Sequence, residues 1–456
     1  MRDGGSFRDP SGFVFREAGV LYREVRPSYR EDCAALVESG LYDELVKAGL
    51  LVAHEEVAPA AVGAPTAYRV LQPHPVPFVS YPYEWCFGQL RDAALATLEI
   101  QKRALEAGLV LKDASAFNIQ FADGRPLLID TLSFERYREG APWAAYGQFC
   151  RHFLAPLVLM CDVDVRLGRL LRQHLDGIPL DLASRLLGRR RWRRLGALLH
   201  VHLHAWSQRR FAGTRLRETR LNRPVRRNAQ RGLVDSLETT IRRLAWRPDG
   251  TEWAGHRGAD SYSAEALEAK ERWVREWLAR VAPRVVWDLG ANTGAFSRLA
   301  AEQAALVVAV DRDAGAVEQH YRALRARGEA RVLPLLVDLD NPSPAQGWAH
   351  RERMALLERG PAYLVLALAL VHHLAIGNDV PLPRLARFLA EAGRALVVEF
   401  VPRSDIRVRQ LLANREDRFP DYTREGFEAA FGEVFTILEA QSLAASGRRL
   451  YLMARR

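Results

Sequence analysis

Long apolar runs, paired cysteines and lysine are what this 456-residue sequence has least of. No apolar stretch approaches the ~18 residues a membrane helix needs. The longest, Phe153–Cys161 and Ala362–Val371, read as core elements. The opening Met1-Arg2-Asp3-Gly4-Gly5 lacks the apolar core of a signal peptide. The four cysteines, Cys33, Cys86, Cys150 and Cys161, lie far apart with no CxxC pair. That spacing argues against a disulfide framework or a zinc site and suits buried thiols in a reducing cytoplasm. There is no fixed-period repeat. Lysine occurs only at Lys47, Lys102, Lys112 and Lys270, so arginine carries nearly all of the positive charge behind the net +10. An arginine bias of this kind fits a GC-rich genome as well as nucleic-acid binding, and charge alone speaks to solubility rather than fold.

What is present is an ordinary globular balance, 48 % hydrophobic and 26 % charged, which excludes wholesale disorder. At ~150 residues per domain the length suggests two or three domains. Residues 1 to about 160 mix strand-like and helical pieces, residues about 161–250 are arginine-rich and helical in pattern, and residues about 270–456 alternate apolar runs with helical stretches. The last is a βαβ rhythm and predicts a parallel sheet. The weak joint is Trp246-Arg247-Pro248-Asp249-Gly250.

In the C-terminal zone, Val285–Leu289 is an apolar strand running into Gly290-Ala291-Asn292-Thr293-Gly294, and Ala295–Ala300 starts a helix. Glycine in such a turn lets backbone approach a ligand closely. A second strand, Leu306–Val310, ends in Asp311, placed to accept hydrogen bonds from ribose hydroxyls. A third, Arg331–Val337, ends in Asp338; a fourth, Tyr363–Val371, ends in His372-His373-Leu374; a fifth, Ala395–Val401, ends in Pro402. Polar residues at successive carboxyl ends mark the ligand-binding edge of an open α/β sheet. The spacing Gly290-x-x-x-Gly294 departs from the GxGxxG that a dinucleotide pyrophosphate favours.

On these residues, positions about 250–456 resemble a class I S-adenosylmethionine-dependent methyltransferase. The resemblance implies a Rossmann-like α/β domain with a seven-stranded mixed sheet and S-adenosylmethionine as cofactor, with no metal in this domain. Asp288, Gly290, Asn292 and Gly294 match the first motif, with Asn292 where a middle glycine often lies. Asp311 matches the ribose-holding acid, Asp338 and Leu339 the position beside the adenine, and Ala367–Leu374, with Ala369, the motif facing the methyl group. Phe435–Glu439 and Arg448–Met453 resemble the terminal antiparallel hairpin. Asp288–Gly294, Leu366–Ile376 and Glu399–Pro402 further resemble two-part proteins related to nodulation-associated methyltransferases.

Methyl transfer asks the protein mainly to position and desolvate, with a base where the acceptor is a hydroxyl or protonated amine. His372 or His373 suits that task; alternatively one of them caps the strand end. Strand alternation predicts that only one of the two faces the methyl group. Glu399 either orients the acceptor or serves as a structural hydrogen-bond partner. Trp253, His256, Tyr262 and Lys270 either close over the cofactor or pack a linker, which is placed at residues 246–270 before a methyltransferase domain at 271–456.

The N-terminal zone resembles a protein-kinase fold over residues 1–245, an α+β small lobe to about 82 and a helical lobe over about 83–245. Asp113, Asn118 and Asp130 reproduce the spacing of a kinase catalytic loop and metal site. The resemblance implies that Asp113 accepts a hydroxyl proton and that Asn118 and Asp130 hold magnesium for ATP. Gly124 lies in a hairpin turn between them; Tyr68–Leu71 and Pro77–Tyr81 are candidate strands leading to a hinge at Tyr83-Glu84-Trp85. Leu111 replaces the usual histidine, Thr131-Leu132 replaces Phe-Gly, and Phe13–Val25 contains no GxGxxG. Lys47 sits in a helical pattern, leaving Arg23 as the nearest strand cation, which does not substitute for a phosphate-binding lysine. Phosphotransfer, nucleotide binding and substrate docking all remain open for this zone.

Arg189–Arg194 with Arg209-Arg210 and Arg226-Arg227 reads as a solvated helical face, as a grip on RNA, or as a seat for a polyanionic acceptor. His200, His202 and His204 lack a partner at metal-ligand spacing and read as packed or exposed histidines. The expectation is a cytoplasmic methyltransferase acting on a hydroxyl or amine of a small-molecule or glycoconjugate acceptor. Its N-terminal domain docks substrate or binds nucleotide, nucleic acid is a less favoured partner, and no membrane is involved. The alternatives are an RNA or protein methyltransferase and a bifunctional kinase–methyltransferase.

Overall fold

The computed structural model describes residues 2–188, 200, 226–248, 262–413, 416, 418–443 and 446–456. The chain forms two units, one of residues 1–246 with 347–353 and one of 247–346 with 354–456. No helix among the described residues is long and apolar enough to cross a membrane.

The first unit opens with β1 (Gly12–Glu17) and β2 (Val20–Val25), joined through Ala18-Gly19, both at positive φ. Two left-handed residues give the turn that matches strand twist. β3 (His54–Val57) and β4 (Arg69–Pro73) complete an antiparallel sheet in the order β1-β2-β4-β3. Pro77–Tyr81 forms no strand, because with prolines at 75 and 77 it offers little ladder to a neighbour. Helix Phe87–Glu106 buries Leu90, Ala94, Leu98, Gln101 and Leu105, the stripe of an amphipathic helix. Helix Arg227–Arg242 lies against it, and Lys102 pairs with Glu238 and, at 2.5 Å, with Asp235. Residues Ala155–Met160 of helix Ala155–Asp162 are buried on all sides, as their unbroken apolar sequence requires. Two short ladders pack on helix Phe87–Glu106 through β5 and β7: β5 (Leu109–Leu111) with β8 (Phe134–Arg136), and β6 (Ile119–Ala122) with β7 (Arg125–Leu128). The β6–β7 turn is Asp123-Gly124, both at positive φ, as the hairpin reading requires.

In the second unit β9 (Val285–Leu289), β10 (Leu306–Asp311), β11 (Val332–Leu336), β12 (Ala362–Ala367), β13 (Gly393–Phe400), β14 (Phe435–Ser442) and β15 (Arg449–Arg455) form one sheet. Its order is β11-β10-β9-β12-β13-β15-β14, parallel through the first five and antiparallel at β13–β15 and β15–β14. This is the seven-stranded mixed sheet that the methyltransferase resemblance implies. The central strands are buried almost throughout because helices cover both faces. Pro334 is tolerated in β11 because that strand is an edge. Val274, Trp277 and Leu278 of helix Ala264–Val281 pack with Val286, Val307, Leu364 and Leu450 in the core. Ser263 caps that helix on the Ala266 N–H, and Asp313 caps helix Ala314–Arg327 on the Ala316 N–H. The fourth strand stops at Ala367 rather than Val371, because Ala369 takes a left-handed φ of 51°.

Candidate functional site

The turn after β9 holds three left-handed residues, Gly290 (φ 77°), Asn292 (φ 49°) and Gly294 (φ 77°). Asparagine is among the few side-chain-bearing residues at ease there, which is why it can stand in the middle of this motif. A Cβ on Gly294 would lie 2.0 Å from the ring of His320, itself buried, so glycine is required by packing as well as by backbone. The Asn292 N–H donates to Asp311 Oδ2 at 2.8 Å, and the Asp313 N–H donates to Asp311 Oδ1 at 2.8 Å. Asp311 thus locks the β9 turn onto the tip of β10, and burial raises its pKa. Asn292 Oδ1 is buried with no partner among the described residues. An orphaned acceptor beside a strand-tip carboxylate and a glycine turn fits a ligand that brings its own donors.

Asp288 is buried below the turn and accepts the Ser297 hydroxyl at 2.5 Å; burial pushes its pKa up to about 6. The third tip joins the second through Val337 N–H to Asp311 O at 2.9 Å. Asp338 and Leu339 follow there, half-buried, with Asp338 Oδ1 accepting the Asp340 N–H at 3.2 Å.

The fourth tip departs from the alternation argument. His372 and His373 lie beyond β12 in a helical turn, so their rings are neighbours, with centroids 4.1 Å apart, rather than on opposite faces. The left-handed Ala369 breaks the strand and turns the loop back, and Leu370 reaches the β9 turn at Gly290. His372 is 1 % exposed, and its Nδ1 has no partner among the described residues. Burial, with His373 and nearby cations, holds His372 well below the usual imidazole range, and burial brings His373 to about 4. Both rings are neutral at neutral pH.

Glu399 on β13 is fully buried and bound on every side. The Tyr262 hydroxyl reaches both its oxygens at 2.7 and 2.9 Å, Lys270 Nζ donates at 2.7 Å and Arg448 Nη1 at 3.3 Å. Burial alone would raise its pKa, but Lys270 and Arg448 outweigh it and hold the carboxylate ionised. Arg448 Nε pairs with Asp405 at 2.8 Å. Tyr262 and Lys270 therefore belong to a buried polar cluster with Glu399. Arg448, named in the sequence only as part of the terminal hairpin segment, and His320 are site residues that sequence reasoning does not single out.

In the first unit the structure brings Asn118 and Asp130 together on Ser133, whose hydroxyl donates to Asp130 Oδ2 at 2.9 Å while Asn118 Nδ2 donates to it at 3.4 Å, and Asp113 lies against Asn118 within reach of the Asp130 charge. Burial and Asp130 raise the pKa of Asp113. The Asp130 carboxylate is already satisfied, by Arg23 at 2.7 Å, the Leu132 N–H at 3.0 Å and Ser133. Magnesium held by Asn118 and Asp130 would have to displace Arg23 from that carboxylate, and no cluster of three or more His, Cys, Asp or Glu placed for a metal occurs among the described residues. His200 is packed, bridging the Tyr146 hydroxyl at 2.9 Å and Ser236 at 3.1 Å. Arg226 and Arg227 are exposed. Arg189–Arg194, Arg209-Arg210, His202, His204, Trp253 and His256 lie outside the described residues.

The second unit has the strand order that the methyltransferase resemblance implies, with Asp311 and the β9 turn joined at the carboxyl ends of its strands. No family model matches the chain. Among solved structures it is similar to magnesium protoporphyrin IX methyltransferase from Synechocystis PCC 6803 with bound SAM, at 16 % identity and a TM-score of 0.31, covering 42 % of this chain and 80 % of that one. It is also similar to the N-methyltransferase NodS from Bradyrhizobium japonicum WM9 with S-adenosyl-L-homocysteine, at 13 % identity and a TM-score of 0.33, covering 45 % and 94 %. The nodulation protein NoeA of Rhizobium meliloti (strain 1021) is 34 % identical over 469 residues, covering 100 % of this chain and 96 % of that protein. Matched along its entire length, the chain belongs to the family of the nodulation protein NoeA.

Proposed function

We propose that the second unit methylates a hydroxyl or amine of a small-molecule or glycoconjugate acceptor in the cytoplasm, in a process connected with nodulation as the relative's name suggests. The observation that carries this reading is the Asn292–Asp311 pair, an orphaned amide oxygen and a strand-tip carboxylate at a Gly290–Gly294 turn with three left-handed residues. S-adenosylmethionine, when bound, supplies an activated methyl and its own leaving group. Asp311 takes the ribose hydroxyls, Gly290, Asn292 and Gly294 admit the ligand against backbone, and Asp338 and Leu339 flank the adenine. Asp288 supports the turn from beneath through Ser297. Ala369 shapes the rim on which His372 sits, and His372 Nδ1 receives the proton that the acceptor gives up. His373 packs against that ring at a tilt and Glu399 positions the wall behind it, so their contribution is orientation rather than proton transfer.

For the first unit we favour docking of substrate or nucleotide over phosphotransfer. The support is the Arg23–Asp130 pair, which satisfies the carboxylate that magnesium and ATP would need. Titration calorimetry of the whole chain with S-adenosylmethionine tests the central reading. Saturable binding that Asp311→Ala weakens supports it. A folded protein that binds neither S-adenosylmethionine nor S-adenosylhomocysteine overturns it.

A further inference from the structure

Beside the buried Glu399 cluster lies an open cleft of about 420 Å³. The loop after β13, the start of helix Arg424–Gly432 and the β14–β15 hairpin line it. Its walls carry Arg403, Arg424 and Arg449 against one carboxylate, Glu425, while Tyr422 contributes a buried aromatic floor. Arg424 and Glu425 pair at 3.1 Å, but both side chains are more than half exposed, so that pair is weak and easily displaced. Arg403 is fixed by donating from Nη1 to the Phe419 carbonyl at 2.6 Å. Arg449 Nε is buried with no partner among the described residues. A buried guanidinium N–H left without an acceptor is costly, and an incoming oxyanion supplies the acceptor it lacks.

The position of the cleft links it to the chemistry. Phe400 and Arg449 are paired across β13 and β15, and each is the chain neighbour of a residue in the buried cluster, Glu399 and Arg448. The cleft therefore opens at the carboxyl end of β13, the sheet edge at which β12 delivers His372. Gly447, at φ 66°, brings the hairpin against Pro402, where a Cβ would lie 3.2 Å from its ring, so the wall is closely built. The volume suits a sugar-sized group. Guanidinium groups are the side chains that grip planar or tetrahedral oxyanions most specifically.

We propose that this cleft binds an oxyanion on the methyl acceptor, so that the acceptor is an anionic, sugar-sized molecule or the anionic end of a larger glycoconjugate. This rests on the methyltransferase reading for its meaning but not for its test. Glucose 1-phosphate and glucose are titrated into the whole chain, with and without S-adenosylhomocysteine, and S-adenosylhomocysteine binding is measured separately. The phosphate ester is expected to bind saturably, at least tenfold more tightly than glucose, and to weaken as salt is raised. Arg449→Gln and Arg403→Gln should each weaken it at least fivefold while S-adenosylhomocysteine affinity and the unfolding midpoint stay as in the wild type. Arg449→Lys, should Arg449→Gln fail to fold, is expected to retain charge but lose at least threefold. Equal binding of glucose and its phosphate, no binding of either, or folded variants that bind as the wild type does would overturn the proposal. If glucose 1-phosphate binds as expected and the cofactor product does not, the cleft stands and the methyltransferase reading fails.

Discussion

Arg23 Nη2 lies 2.7 Å from Asp130 Oδ1 and 2.9 Å from Asp9 Oδ2, so one strand arginine joins two carboxylates across the first unit. All three side chains are largely shielded, with 14 %, 15 % and 28 % exposure for Arg23, Asp130 and Asp9. Removing one partner of a shielded pair leaves charge uncompensated. Arg23→Gln should cost about 1–3 kcal/mol in urea unfolding, between the surface and buried limits. ATP titrated into the wild type should give the same response in magnesium and in EDTA. Magnesium-dependent binding that Asp130→Ala abolishes would reinstate a metal site there.

The Gly294–His320 contact predicts a sharper loss. Gly294→Ala adds a Cβ 2.0 Å from a buried ring at a φ of 77°. The left-handed conformation alone costs alanine ~1–2 kcal/mol, and overpacking adds ~1–3 kcal/mol. The variant should lose several degrees in unfolding midpoint and bind S-adenosylmethionine at least tenfold more weakly. Gly294→Ala combined with His320→Ala should regain part of the stability; no recovery at all would mean that the backbone term, not the ring, dominates.

Asp311 accepts two backbone N–H groups, so Asp311→Asn keeps an acceptor while losing the charge that strengthens both bonds. A hydrogen bond to a charged group is worth ~1.5–3 kcal/mol. Cofactor affinity should fall about tenfold to a hundredfold by calorimetry. Unchanged affinity would remove the ribose role.

These residues show what the sequence alone could reveal. The β9 turn and Asp311 are legible because strand, turn and helix follow one another within about 25 residues, and local patterning encodes that order. The sequence singles out Glu399, Tyr262 and Lys270 one by one but not their meeting, because Lys270 and Arg448 reach Glu399 from 129 and 49 residues away and local patterning does not encode such contacts. The histidine pair follows a helical rather than a strand period. An apolar run to Val371 looked like strand, but a left-handed alanine ends the strand at Ala367 and returns both rings to one side. The Asp113, Asn118 and Asp130 spacing does bring those residues together, yet the sequence gives no sign that Arg23 pairs with Asp130.

Burial also sets the acid sensitivity. Burial is the leading cause that lowers His54 to about 4, His152 to about 3 and His200 to about 4 in the first unit, and His320 to about 3 and His373 to about 4 in the second. Each folded value lies below the unfolded value near ~6.5, so between the two the unfolded chain binds more protons. The stability these groups contribute is complete above pH ~6.5 and is lost as pH falls towards 4. Unfolding midpoints should therefore drop steeply between pH 6.5 and 5, before most carboxylates protonate, and His320→Gln should flatten that slope. A level profile over that interval would show that these rings are hydrated in the native state.

His372 and His373 separate by the same logic. His372 is 1 % exposed with its ring Nδ1 unpartnered among the described residues, whereas the His373 ring is half-buried. A ring held neutral by burial keeps its lone pair available well below pH 6.5. If Nδ1 accepts the acceptor's proton, His372→Gln should lower kcat about a hundredfold and leave S-adenosylmethionine affinity unchanged. His373→Gln should cost less than about tenfold, by loosening the ring beneath it. The wild-type rate should hold level as pH falls below the ordinary imidazole range, since burial keeps this base unprotonated there. Equal, mild losses in the two variants would assign both rings to packing and leave the acceptor to lose its proton to water.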